Sequence, residues 1–300
     1  MYLPYEMRDA RILISVKTSP LPSSKYEELV CTAGFLSDGK WIRLYPIPFR
    51  SLPYQDQYKK YHWITLSVIR NTKDFRPESY RPLIGVDDIR LGEHLGTENN
   101  WEERKKYALR EVFTSMKSLI ARAKGDERKS LATLKPREII DFIIEPTERE
   151  WKPEWQDWLL QLNLFDRNTP GEGNRRKVVP KLPYKYFYRF LTEGDRQPRK
   201  IMIEDWELGA LFWKCYYQYQ RDETYANEQV KKKFFDEFVA KKDLYFFLGT
   251  TQKYHLVSPN PFIIIGVFYP PKRALPAQLK RPAAISDKNE SVTQPPLFEL

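Results

Sequence analysis

Two alternating runs meet at a tight turn near the start of the chain, and no other feature constrains the fold as strongly. Residues 29–35 read LVCTAGF, residues 41–45 read WIRLY, and Ser37-Asp38-Gly39-Lys40 lies between them. Asp-Gly between alternating runs is a β-hairpin signal, because glycine accepts the positive φ that such a turn requires. Residues 11–16 (RILISV) and 63–70 (WITLSVIR) add further strands. Short strands with proline-rich turns through the first 90 residues predict a small barrel or sandwich.

The period then changes. Asn99 or Asn100 caps an expected helix, with Glu102 and Glu103 in its first turn. Its apolar face would carry Ala108, Val112, Leu119 and Ile120, and Gly125 follows its end. Residues 139–144 (IIDFII) read as a strand, and Pro153 opens a short helix with Trp155, Trp158, Leu159 and Leu162 on one face. Strand character returns at residues 184–191 and 201–203. Two helices follow, one with Leu208, Leu211, Phe212, Cys215 and Tyr219 in a stripe, the other with Val230, Phe234 and Phe238. Residues 244–248 and 262–268 close the second unit as buried strands. The last 31 residues hold six prolines and no periodicity, the composition of a disordered tail. The expected class is α+β. The units are an OB-like, β-rich one over residues 1–95, a helical connector with one strand over 96–165, a second β-plus-helix unit over 166–269, and a disordered tail over 270–300.

Composition narrows function by exclusion. His62, His94 and His255 are isolated in sequence from each other and from Cys31 and Cys215, with no CxxC or HExxH spacing. No metal site and no cofactor is expected. The glycines form neither a phosphate loop nor a dinucleotide fingerprint. Both cysteines lie on apolar faces and read as structural, which fits a reducing, cytoplasmic setting. The N-terminus lacks a signal-peptide pattern, and no apolar run is long enough to span a bilayer. Formal net charge is +10, which favours polyanionic partners.

Residues 174–192 (NRRKVVPKLPYKYFYRFLT) contain six basic side chains, a run of tyrosine and phenylalanine rings and no acid, in a chain with 40 acids. Basic groups neutralise phosphates and rings stack on bases, so the mixture suits nucleic acid. Alternation puts Tyr184, Tyr186 and Tyr188 on one face and Lys185, Phe187 and Arg189 on the other. Arg175, Arg176 and Lys177 precede them in a loop. A second surface is expected from residues 39–50 (GKWIRLYPIPFR), where Trp41, Arg43 and Tyr45 share a strand face near Arg50. An arginine between two rings can stack on bases and bond phosphates, or can be a cation–π pair inside a core face.

Val30, Cys31, Ala33, Gly34, Asp38, Gly39, Trp41 and Arg43 together resemble a group of uncharacterised bacterial proteins with dual OB-fold domains. The resemblance covers about 20 residues and departs from the pattern at Leu44-Tyr45-Pro46. It implies small barrels with a nucleic-acid or nucleotide groove and adds no catalytic residue. The end of the tail, with Gln294, Leu297 and Phe298, resembles the peptide by which bacterial proteins dock on the DNA sliding clamp, two apolar anchors and an amide on a flexible arm.

The expected function is therefore non-enzymatic nucleic-acid binding in a bacterial DNA-maintenance, mobile-element or antiviral system, with DNA or RNA and a clamp or another subunit as partners and no membrane. One alternative is a metal-dependent nuclease or nucleotide-processing enzyme using Asp141, Glu145, Glu204, Asp205 and Glu207. Another is a scaffold subunit whose aromatics anchor a larger complex.

Overall fold

A computed structural model describes residues 3–18, 21–23, 27–47, 49, 57–83, 89–151 and 180–272. The first sheet comprises β1 (Glu6–Lys17), β2 (Leu21–Ser23), β3 (Glu27–Leu36), β4 (Trp41–Ile47), β5 (His62–Arg70), β6 (Ser79–Pro82) and β7 (Arg90–His94). The order β1-β3-β4-β6-β5 closes on itself through a β1–β5 pairing, giving a five-stranded barrel. Only β4 and β6 run parallel within that circuit. This circuit, with its one parallel pair, is the strand order of an OB-fold. The β3–β4 turn is tight: Gly39 takes φ +77° and the Leu36 amide bonds the Lys40 carbonyl at 2.9 Å.

β1 is buried on both faces, which explains the nearly continuous apolar run ILISV. Ile12 and Ile14 point into the barrel with Ile42, Leu44 and Val68. Leu13 and Val16 point outward into a second apolar layer, the phase being kept by a bulge between Ile14 and Val16.

After β7 come α1 (Glu98–Ala108), β8 (Val112–Phe113), α2 (Met116–Lys124), β9 (Leu131–Leu134), β10 (Glu138–Pro146), β11 (Tyr184–Leu191) and β12 (Arg199–Ile203). The chain continues through α3 (Trp206–Gln218), α4 (Glu223–Lys231), a π-helical segment (Lys232–Glu237), α5 (Phe238–Lys241), β13 (Tyr245–Thr250) and β14 (Phe262–Phe268). The single helix expected across residues 100–124 is two helices. Val112 and Phe113 instead pair in parallel with β9, and Ser115 caps α2 by accepting from the Ser118 amide. No connector stands apart: β8, β9 and β10 all belong to the second sheet.

That sheet runs β10-β11-β12-β14-β13-β9-β8. β9 and β10 are separated only by residues 135–137, so one stretch of chain pairs with β13 at one end and β11 at the other. Counted as one bent strand, it gives the first barrel's order again, with β12 and β14 as the parallel pair. Its interior holds Leu134, Phe142, Tyr186, Tyr188, Phe190, Ile201 and Phe246, covered by residues of α2, α3 and α4. The three helices after β12 lie where an OB-fold inserts its helix, which accounts for the helical content that two bare barrels would not need.

The barrels meet through the outward layer. Ala33, Phe35 and Trp41 of the first barrel pack with Leu131, Phe247, Ile265 and Phe268 of the second. The Trp41 ring lies 4.0 Å from Phe35 and 5.2 Å from Phe247, centroid to centroid. Among the described residues, no helix is long and apolar enough to cross a membrane.

Candidate nucleic-acid interface

OB-folds commonly bind oligonucleotides on the outer face of their second and third strands, aided by the loops between strands one and two and between strands four and five. In the first barrel that face belongs to β3 and β4, and it carries the expected Trp41–Arg43–Tyr45 surface. The alternation is as read, but the second barrel covers the face. Trp41 is 7% exposed and Arg43 is 3% exposed, leaving only Tyr45, at 41%, facing water. Arg43 donates to Ser79 Oγ at 3.2 Å, to Ser130 Oγ at 2.8 Å and to the Ser130 carbonyl at 3.2 Å. Glu78 completes the junction by accepting from the Ser130 amide and hydroxyl. Burial, reinforced by nearby Arg76, lowers the basicity of Arg43. Trp41 and Arg43 are thus corrected from a solvent-facing stacking platform to interior groups that join the barrels. A strand's alternation cannot reveal that another sheet lies on its outer face.

In the second barrel the corresponding face belongs to β11 and β12, flanked by β10, and its side chains reach solvent. Tyr186 and Tyr188 turn inward, their hydroxyls meeting Asn227 and the Phe234 carbonyl. Lys185 and Arg189 turn outward and are exposed, with partly buried Phe187 between them. Strand pairing sets Phe187 opposite Ile143 and Met202, and Arg189 opposite Asp141 and Lys200. Lys200 is exposed and lies 4.3 Å above the Phe187 ring. Arg189 approaches Asp141 at 3.6 Å and Lys200 bonds Glu145. Such exposed pairs hold their partners weakly, so a phosphate can compete for the cations. Lys200 had no signal of its own in the sequence; only the β11–β12 register brings it to Phe187.

Arg175, Arg176 and Lys177 belong in sequence to the β10–β11 connection, the strand-one-to-two loop of this barrel, but they lie outside the described residues. Arg50, Gln294, Leu297 and Phe298 also lie outside them.

Four of the five acids weighed for metal chemistry are engaged by cations. Asp141 and Glu145 face Arg189 and Lys200. Asp205 is buried, caps α3 through the Glu207 amide at 3.0 Å, and receives Lys60 Nζ at 2.9 Å on both oxygens. Glu207 Oε2 lies 3.0 Å from the same ammonium. Burial alone would lower the pKa of Lys60, but Asp205 and Glu207 hold it above its ordinary value. Among the described residues no group of three or more His, Cys, Asp or Glu is arranged to hold a metal ion. His62 and His94, isolated in sequence, face each other across β5 and β7 with ring centroids 4.9 Å apart.

The two sheets define the class: a pair of barrels of OB-type strand order, the first with its second-and-third-strand face covered and the second with that face left open by the described residues. Residues 8–110 match a family model described as a domain of unknown function (DUF8758). Residues 112–289 match one described as a domain of unknown function (DUF8757), and because this match covers more than half of the chain, the chain belongs to that family. The boundary between the two matches falls between α1 and β8, where the chain passes from one barrel to the other. No curated protein matches the chain.

Proposed function

We propose that this protein binds single-stranded nucleic acid on the outer face of β10, β11 and β12. The observation that carries the reading is the open second-and-third-strand face, on which Lys185, Phe187, Arg189 and Lys200 stand together. Phe187 supplies a stacking surface, and the three cations surrounding it supply charge for phosphates. The net charge of +10 favours encounter with a polyanion. Trp41 and Arg43 take no part in the contact. The tail residues Gln294, Leu297 and Phe298 are proposed as a separate protein-docking peptide.

Fluorescence anisotropy with labelled DNA and RNA oligonucleotides across a salt series tests this. Three displaced counterions give a log–log slope of about −2 on a single strand. The double variant Lys185→Glu/Arg189→Glu should abolish measurable binding while leaving the melting temperature unchanged. Absence of salt-sensitive binding to every oligonucleotide would refute the proposal.

A further inference from the structure

Beside the open face lies a cavity of about 590 Å³, within the range of small-molecule sites. It is bounded by Trp151 just after β10, Tyr184 and Lys185 at the start of β11, Glu204 just after β12, and Trp206 and Trp213 of α3. Lys185 and Met202, which both line the cavity, also belong to the outer face. A strand lying on that face therefore passes the mouth of the cavity.

The lining is chemically unusual for a structural void. It brings three tryptophans and a tyrosine around the Glu204 carboxyl, with Glu148, Lys181 and Lys185 also on the lining. The Glu204 side chain has no hydrogen bond or ion pair with any described residue, and its backbone is fixed by the bond from its amide to the Ile264 carbonyl at 2.7 Å. Burial raises its pKa, with Lys185 the opposing influence. The Tyr184 hydroxyl is already committed to Glu223 at 2.7 Å, and Lys181 to the Glu150 carbonyl at 3.0 Å and to Glu148 at 3.5 Å, so Glu204 is the lining carboxyl left to read a ligand. An aromatic-walled pocket with an unengaged carboxyl is suited to a flat heterocycle bearing donors on one edge.

We propose that this cavity takes up a single unstacked guanine base from the bound strand, stacked on the tryptophan lining, with Glu204 accepting its N1–H and N2–H. Guanine offers two adjacent donors that match the two oxygens of a carboxylate, while adenine and thymine offer no such pair. The assignment rests on the nucleic-acid reading of the outer face and adds base selectivity to it.

The test uses the full chain and labelled oligothymidylates of about ten residues, with a central dT replaced by dG, dA, dC or deoxyinosine. The dG strand should bind about tenfold tighter than the unsubstituted one, the value of one good bidentate pair. Deoxyinosine, which lacks the N2 amino group, should lose most of that gain. Glu204→Gln should bring dG to within about twofold of dT and retain salt-sensitive binding to oligothymidylate. If oligothymidylate binds but dG brings no gain, or if Glu204→Gln keeps the gain, the guanine pocket is overturned and the outer-face interface stands. If no strand binds at any salt concentration, both fall. The deoxyinosine comparison needs no variant, so a poorly folding Glu204→Gln leaves the proposal refutable.

Discussion

Replacing Arg43 with alanine separates an interior joint from a ligand-binding arginine. The guanidinium makes three hydrogen bonds, two of them to Ser130 across the barrel–barrel junction. Bonds involving a charged partner contribute about 1.5–3 kcal/mol net. Truncation also leaves a buried void and strips a partner from the Ser130 carbonyl, adding about 1–2 kcal/mol. Arg43→Ala should therefore lose about 3–5 kcal/mol. For a chain of this size that lowers the melting temperature by roughly 6–20 °C, taking about 2–4 °C per kcal/mol. Differential scanning fluorimetry and urea titration measure the loss. Below its melting temperature, the variant should bind oligonucleotide as the parent does. A variant that melted within about 3 °C of the parent and lost oligonucleotide affinity would refute the reasoning, because Arg43 would then be contacting ligand and not joining the barrels.

Lys60→Met removes the cation between Asp205 and Glu207 and should cost about 3–5 kcal/mol in urea unfolding, since a buried carboxylate is left unpaired. Adding Asp205→Asn should recover part of that loss. Burial brings the Lys17 ammonium down from 10.5 to about 8, against the opposing pull of Glu207. The unfolded chain then holds more protons than the folded one between pH 8 and 10.5, so Lys17 makes stability rise with pH across that window, by up to about 3 kcal/mol. Urea titrations at both ends should show this rise reduced in Lys17→Met; an identical pH dependence in both proteins would rule the assignment out. In the β11–β12 turn, burial alone would raise the pKa of Asp195, but hydrogen bonds from Arg199 and Thr192 bring it down from 3.8 to about 2. Its contribution is present above pH 4 and lost as pH falls toward 2. Asp195→Asn should therefore melt lower than the parent at pH 7 and converge with it near pH 2.

The strands were legible in the sequence because period-two alternation and turn chemistry are local. The β3–β4 hairpin follows from Asp38-Gly39, and β11 divides its tyrosines from Lys185, Phe187 and Arg189 as the alternation requires. Asp205 at the head of α3 is likewise readable as a cap. The division of residues 100–124 into two helices around β8 was not legible, because Val112 and Phe113 suit either a helix face or a strand, and only the available β9 edge decides between them.

The sequence by itself determined which side chains share a face of each strand. Tertiary structure alone decided which faces meet water. β4 and β11 present similar patterns, each setting an arginine near aromatic rings. On β4 the arginine is enclosed, because Phe247, Leu131 and Phe268 gain more by packing on Phe35 and Trp41 than by facing solvent, and Ser130 arrives with them to satisfy the charge. On β11 nothing described packs over the outer face, so Arg189 and Lys185 remain exposed beside Phe187. The apolar partners that make this difference come from strands more than 80 residues further along the chain than β4, beyond the reach of any local pattern.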